Sequence, residues 1–511
     1  MTKSKIYKIV LIALSVCVVF FVGKLFVGVG APSDFQNLDD LATLYPDYVD
    51  VVFPPNIAPA NFRIEEEGDA FCARVTGDNG ASLCVCGQNA MFPEKKWKRL
   101  LEDNRGSSLR YEIFIRRQGT WFRFKEFQNQ VSEDPVDPFV AYRLIEPGYD
   151  YSYRMALAQR CLETFDERFF VDNRSATTSA CVNCHSFQNY HTDRFMFHFR
   201  RPDAPEKGGT ILVDGDQIVK ATGYVDELKN TCSYPAWRPT GDFIAFSSNV
   251  TRQSFHSLST QKIEVYDGTS DLVLLDPRKN EVRVVEKTEA KMETFPFWSP
   301  DGQFLYYCCA DYVPKAPSSD VDALIKEASD RAVEIRYNIC RRSFDEKNCS
   351  FGAQETVVDA ASQGRSALFP RISPDGRFLV YTVAESGTFP IWRPEADLHM
   401  LDLTTGESRV MNEVNSSDTD SYHSWSSTGR WLIFSSRRED GFFTRFYLTH
   451  IDAQGRGSKP FVLPQRDPTF NRQRQKSYNI PEFTVEAVKL RTETIMKATK
   501  REGEKTRSVP M

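Results

Sequence analysis

Phe295-Pro296-Phe297-Trp298-Ser299-Pro300-Asp301-Gly302-Gln303-Phe304-Leu305-Tyr306-Tyr307 is the stretch that decides how this chain folds. It reads as a strand, a tight turn and a second strand of bulky residues, in which Pro300 fixes φ and Gly302 supplies the left-handed position. The pattern returns as Phe369-Pro370-Arg371-Ile372-Ser373-Pro374-Asp375-Gly376-Arg377-Phe378-Leu379-Val380-Tyr381. An earlier copy runs Tyr234-Pro235-Ala236-Trp237-Arg238-Pro239-Thr240-Gly241-Asp242-Phe243-Ile244-Ala245-Phe246. A later one runs His423-Ser424-Trp425-Ser426-Ser427-Thr428-Gly429-Arg430-Trp431-Leu432-Ile433-Phe434, with Ser427-Thr428 in place of Pro-Asp. Three copies are followed by a second hairpin, turning at Pro277-Arg278-Lys279-Asn280, at Thr405-Gly406 and near Gln454-Gly455. Four strands per repeat is the formula of a propeller blade, and blades stack in a ring because none can bury its faces alone.

These repeats resemble the TolB-type β-propeller family, whose blades carry the Ser-Pro-Asp-Gly signature; the likeness covers residues 230–465. Phe195 to Ile218, with a turn at Asp214-Gly215, offers a further blade, and Phe483-Thr484-Val485 a closing strand. The expectation is a mainly β protein with a TolB-like β-propeller of five or six blades over residues 201–485. A helix-like insertion from Pro317 to about Val333 interrupts the spacing. Residues 31–60, broken by Pro32, Pro54, Pro55 and Pro59, read as a linker. Residues 61–165 read as a small β-sandwich-like domain: Phe71 to Val75, Ala81 to Cys86, Tyr111 to Ile115 and Trp121 to Phe124 are strand-like, Glu94 to Asn104 reads as a helix, and a connecting helix is expected from Tyr151 to Phe165. Residues 486–511, with mixed charge and no apolar period near the end, read as a flexible tail.

A chain of 511 residues is too long for one ordinary core, and 41% hydrophobic with 26% charged residues describes a globular body. Aromatics at 13% suit sheet packing, and a net charge of −5 supplies no basic field for nucleic acid, which is not expected as a partner. Lys3, Lys5 and Lys8 precede an apolar run from Ile9 to Gly23, which resumes after Lys24 and ends at Gly30. Residues 1–30 therefore read as a single membrane anchor with a cytoplasmic N-terminus, placing the main body in the periplasm beyond an inner membrane. A cleaved signal peptide is the competing reading. In an oxidising compartment Cys72 can bond either Cys84 or Cys86, and Cys340 and Cys349 flank a turn at a separation suited to a disulfide. Cys308 and Cys309 are expected to be buried.

Cys181-Val182-Asn183-Cys184-His185 carries the chemistry. Two thiols three positions apart, followed by an imidazole, suit covalent haem: the thiols add across the vinyl groups and His185 coordinates iron from one side. The motif resembles a c-type cytochrome attachment site, which implies one haem c, held in a loop-like segment over residues 166–200. In the alternation Arg194-Phe195-Met196-Phe197-His198-Phe199-Arg200, the phenylalanines share one face of a strand and Met196 and His198 the other. His198 is the expected second iron ligand, with His191 and Met196 as alternatives. Arg143, Arg154 and Arg160 are candidates for the haem propionates or for ordinary ion pairs. A thiol redox motif lacks the βαβ context it needs, and a zinc site completed by His191 and His198 has no common finger spacing.

Span, motif and blades together resemble envelope proteins of Bacteroides-like bacteria labelled as cytochrome c-like. That resemblance implies an anchored periplasmic monohaem protein passing electrons to or from a docked redox or scaffold partner in the envelope. The alternatives are an interaction scaffold with structural or sensory haem, and a haem enzyme with an open sixth position. No Gly-x-Ser-x-Gly or phosphate loop points to other catalysis.

Overall fold

A computed structural model describes residues 30–511 except 147–153, 174–179, 202–207, 223–231, 257–260 and 287. The expected membrane anchor falls outside these residues apart from Gly30, and among those described no helix is long and apolar enough to cross a membrane.

Six sheets follow one another among the described residues, three of four strands and three of five, ordered from the centre outward. In blades 2 to 6 the inner strands are Cys181–Gln188, Cys232–Trp237, Lys291–Trp298, Ser366–Ile372 and Asp420–Trp425. Blade 1 is assembled from both ends of the ring: Ser477–Thr484 lies innermost, antiparallel to Phe139–Ile145, and Ala156–Cys161 and Glu167–Asp172 follow outward. Inner strands touch in cyclic order, Ser477–Thr484 meeting both Cys181–Gln188 and Asp420–Trp425, so the ring closes. The chain is thus a β-propeller whose last inner strand fastens its first blade.

Each inner strand carries the same irregularity. Cys184, Tyr234, Phe295, Phe369, Tyr422 and Ile480 all have φ between 48° and 55°. At each, two inner-strand residues oppose one on the next strand. This is a β-bulge, which leaves one residue unpaired and bends the strand. Proline occupies the second bulge position in Tyr234-Pro235, Phe295-Pro296, Phe369-Pro370 and Ile480-Pro481, where no ladder N–H is required. Cys184-His185 and Tyr422-His423 are the remaining two pairs. The turns behave as their chemistry requires: Gly241, Gly302, Gly376 and Gly429 have φ of 77°, 69°, 76° and 67°. Ser299 Oγ donates to Asp301 at 2.5 Å and accepts Phe304 N–H at 2.9 Å, and Ser373 does the same for Asp375 and Phe378.

Several expected boundaries shift. The segment expected as a connecting helix holds the strand Ala156–Cys161, because Ala156, Leu157, Ala158, Gln159 and Arg160 are buried on both faces within blade 1, an environment that overrides local propensity. The propeller therefore begins at Phe139, well before residue 201, and the small domain ends ahead of it. The linker 31–60 is part of that domain: Gln36–Asn37 and Val52–Phe53 add parallel strands to its main sheet, with Tyr48, Val51, Phe53 and Ile57 buried. The attachment segment 166–200 is not a loop in its described parts but the strands Glu167–Asp172, Cys181–Gln188 and His191–Arg200. The tail is ordered: helix Thr492–Thr499 buries Ile495 and Ala498, and Glu504–Lys505 and Arg507–Ser508 pair in parallel with the outer strands of blades 2 and 3. Two-residue strands leave no period in a sequence; the blade edges create them.

The small domain and the propeller share one core, in which Phe53, Trp97 and Tyr111 join Trp431, Phe446 and Phe483. Trp431 Nε1 donates to Asp134 O at 3.0 Å and Ser427 N to Asp137 Oδ2 at 2.7 Å. Cys72 bonds Cys86 across paired strands, and Cys308 and Cys309 are buried as expected. Cys340 and Cys349 are both free, since Cys340 turns inward toward Gln354 and Thr356 rather than across the turn.

Candidate functional site: the propeller channel

The six bulges converge on the channel and form its neck. Tyr234, Phe295, Phe369 and Tyr422 pack ring against ring in tilted and edge-on pairs, with centroids 4.3, 4.0 and 4.7 Å apart. Cys184 and Ile480 complete the circle, around a space of about 50 Å³. Beyond the neck, on the side of the hairpin turns, the channel widens to about 230 Å³, walled by Trp237, Trp298 and Trp425, with His185, Arg371 and Glu482 also lining it.

His185 lies fully buried, its Nε2 3.7 Å from Glu482 Oε2. Among the described residues neither ring nitrogen has a hydrogen-bond partner. Burial, aided by Arg143, pushes its pKa down to about 3, so the imidazole is neutral at any physiological pH. Glu482 Oε1 accepts Phe187 N–H at 2.8 Å, and burial raises its carboxyl to about 8. Arg371 stacks over the Phe297 ring at 4.7 Å, and burial lowers it to about 10. His423, the counterpart of His185 in blade 6, has a structural partner: its Nε2 is 2.9 Å from Val380 O.

The other expected ligands stand apart from His185. Phe195, Phe197 and Phe199 enter the core with Val182 and Phe187, and Met196 lies on the opposite face toward blade 3, as the alternation implies. His198 is on that face too, with Nδ1 2.8 Å from Thr210 Oγ1, its ring 5.4 Å from Phe246, and its Nε2 unpartnered. Burial, then Arg200, holds it well below the usual histidine range. His191 is at the hairpin end, its side chain 55% exposed, with Nδ1 3.9 Å from Glu486. Cys184 lines the neck, but Cys181 does not; its Sγ lies 3.8 Å from Met155 Sδ. Arg143 donates to Asn183 Oδ1 beside the motif, whereas Arg160 serves Gln465 and Pro464 and Arg154 stands 4.0 Å from Glu146.

The donor set fits haem in kind: two thiols and a neutral imidazole with unpaired nitrogens. It does not yet fit in room, since neither channel space reaches the roughly 300–1,000 Å³ of ordinary ligand pockets, and a porphyrin is a large ligand. Sequence reasoning missed Glu482 and Arg371. Both occupy the position directly after the two bulge residues, held by Ser186, Ala236, Phe297 and Ser424 in the other blades, so aligning the copies exposes them.

No protein-family model and no curated protein matches the chain. Among solved structures, TolB from Acinetobacter baumannii is similar with a TM-score of 0.41 at 11% identity, over 77% of this chain and 85% of that one. The β-propeller domain of the Trilobed protease from Pyrococcus furiosus gives 0.32 at 8% identity, over 67% and 79%. A putative 6-phosphogluconolactonase from Bacteroides uniformis gives 0.32 at 11%, over 78% and 98%. The sheets and the channel define the chain as a mainly β propeller protein.

Proposed function

We propose that this protein carries one haem c, attached through Cys181 and Cys184 with His185 as an iron ligand, on a propeller anchored to the inner membrane with its body in the periplasm. The supporting observation is His185 itself: a fully buried imidazole, kept neutral and adjacent to a thiol, has a ring nitrogen free to take iron. Bound haem would supply one-electron chemistry. The chain's contribution is to hold the thiols on a ring-closed strand, exclude water from the imidazole and set Glu482 beside it. His198, on the strand face toward blade 3, would be the second iron ligand, and haem would need more space than the channel offers beside the motif. Electron exchange with a docked envelope partner is the activity this reading favours.

The test is expression in cells able to mature cytochromes, followed by haem staining on a denaturing gel, intact mass and a visible spectrum. A stained band carrying one haem mass, lost in Cys181→Ala/Cys184→Ala, supports the reading. An unmodified mass sinks it and leaves an anchored docking protein. Low-spin iron in His198→Ala would remove that residue as a ligand, and high-spin iron in the unaltered protein would favour catalysis or sensing.

A further inference from the structure

We infer that the wide part of the channel is a binding site for a small planar carboxylate, received by the guanidinium of Arg371. Arg371 is the cation on the wall of this 230 Å³ space. Its stacking on Phe297 fixes the plane of the fork, and its one hydrogen bond among the described residues is from Nη1 to Pro370 O at 2.9 Å. A guanidinium has five N–H donors, so most of the fork is left for the cavity.

No carboxylate pairs with it among the described residues. Glu482, which also lines the space, is engaged by Phe187 N–H and stands beside His185; it acts on Arg371 through space, without an ion pair. Arg238 on blade 3, by contrast, has both the Glu346 carboxylate at 2.7 Å and Gly302 O at 2.9 Å. A cation enclosed by protein without a directly paired carboxylate is costly unless a bound anion or water answers it, and guanidinium matches a carboxylate two bonds to two. The remaining walls set the rest of the ligand. Trp237, Trp298, Trp425, Pro235, Pro300 and Pro374 present flat apolar surfaces, which suit an aromatic or otherwise planar body. The volume, below the roughly 300–1,000 Å³ of pockets for drug-sized molecules, confines the ligand to small acids.

The experiment titrates the full chain with benzoate and indole-3-carboxylate, and with the neutral amides benzamide and indole-3-carboxamide, reading intrinsic tryptophan fluorescence and calorimetric heat. Saturable binding of the acids, at least about ten-fold tighter than of the amides, is expected, the size of one charge-assisted contact. Arg371→Gln should lower acid affinity about ten-fold or more and leave the amides unchanged. Ser424→Phe, which fills the cavity from another blade, should abolish binding; if Arg371→Gln does not fold, this variant and the acid–amide comparison still decide. Equal binding of acids and amides, or no saturable response to either acid, overturns the proposal. It does not rest on haem: the same acid–amide difference is expected in Cys181→Ala/Cys184→Ala, which cannot form thioethers, and its loss there overturns this proposal, while the haem reading is decided separately by the intact mass.

Discussion

Phe187 N–H donates to Glu482 Oε1 at 2.8 Å, joining residues 295 positions apart in the chain. Glu482 belongs to the strand that completes blade 1, and Phe187 to the strand bearing the two thiols. The chemical site is therefore assembled by the same step that closes the ring, and neither strand alone has it.

Closure should govern stability. Phe483, fully buried on the closing strand, packs in the core shared with the small domain. Phe483→Ala is expected to cost about 3–5 kcal/mol, the usual range for a buried phenylalanine. Urea denaturation should show the small domain and the propeller losing structure at one lowered midpoint. Two separate transitions, with only the propeller shifted, would contradict the shared core.

The C-terminal segment should behave as a strap. Ile495, fully buried, sits among Phe170, Phe195 and Phe197. Ile495→Asp places a charge there and is expected to cost several kcal/mol of docking. Limited proteolysis should then remove the last residues rapidly while the unaltered chain resists. Equal cleavage rates would show that the helix Thr492–Thr499 does not hold the tail.

Stability should depend on Asp267. Burial raises its carboxyl from 3.8 to about 6, against the lowering effect of its side-chain hydrogen bonds. A folded-state pKa above the unfolded value means that the folded chain holds the proton longer. The contribution is complete below pH about 4, is lost as pH rises through about 6, and then stays constant. A shift of about two units corresponds to about 3 kcal/mol. Asp267→Asn, which can still accept from Asn249 Nδ2, should raise Tm at pH 8 and change it little at pH 4. The same increase at both values would refute this assignment.

Thiol accessibility should follow the fold. Cys84 is exposed, Cys308 is buried with its thiol pushed far up by burial, and Cys72 and Cys86 are bonded. A maleimide added to the oxidised native protein should label Cys84 first, reach Cys308 only on unfolding, and reach Cys72 only after reduction. Peptide mapping reads the order, and early labelling of Cys72 would exclude the disulfide.

The repeated aromatic-Pro and Pro-Asp-Gly elements made the blades legible because turn chemistry and strand alternation are local: Gly302 needs its left-handed φ wherever the strand goes next. The same locality made Phe195, Phe197 and Phe199 readable as a buried face opposite Met196 and His198. It hid the strand at Ala156–Cys161, whose neighbours are supplied by Phe139–Ile145 and Glu167–Asp172, and the edge strands of the tail.

Local patterns in the chain were enough to predict that blades form and to place two thiols beside an imidazole. That Cys184-His185 is one of six equivalent bulges, that Arg371 and Glu482 share its channel, and that His198 faces another blade became visible only in the folded ring. The physical reason is distance along the chain: a turn is fixed by contacts among near neighbours, whereas a channel wall exists only after strands hundreds of residues apart have paired.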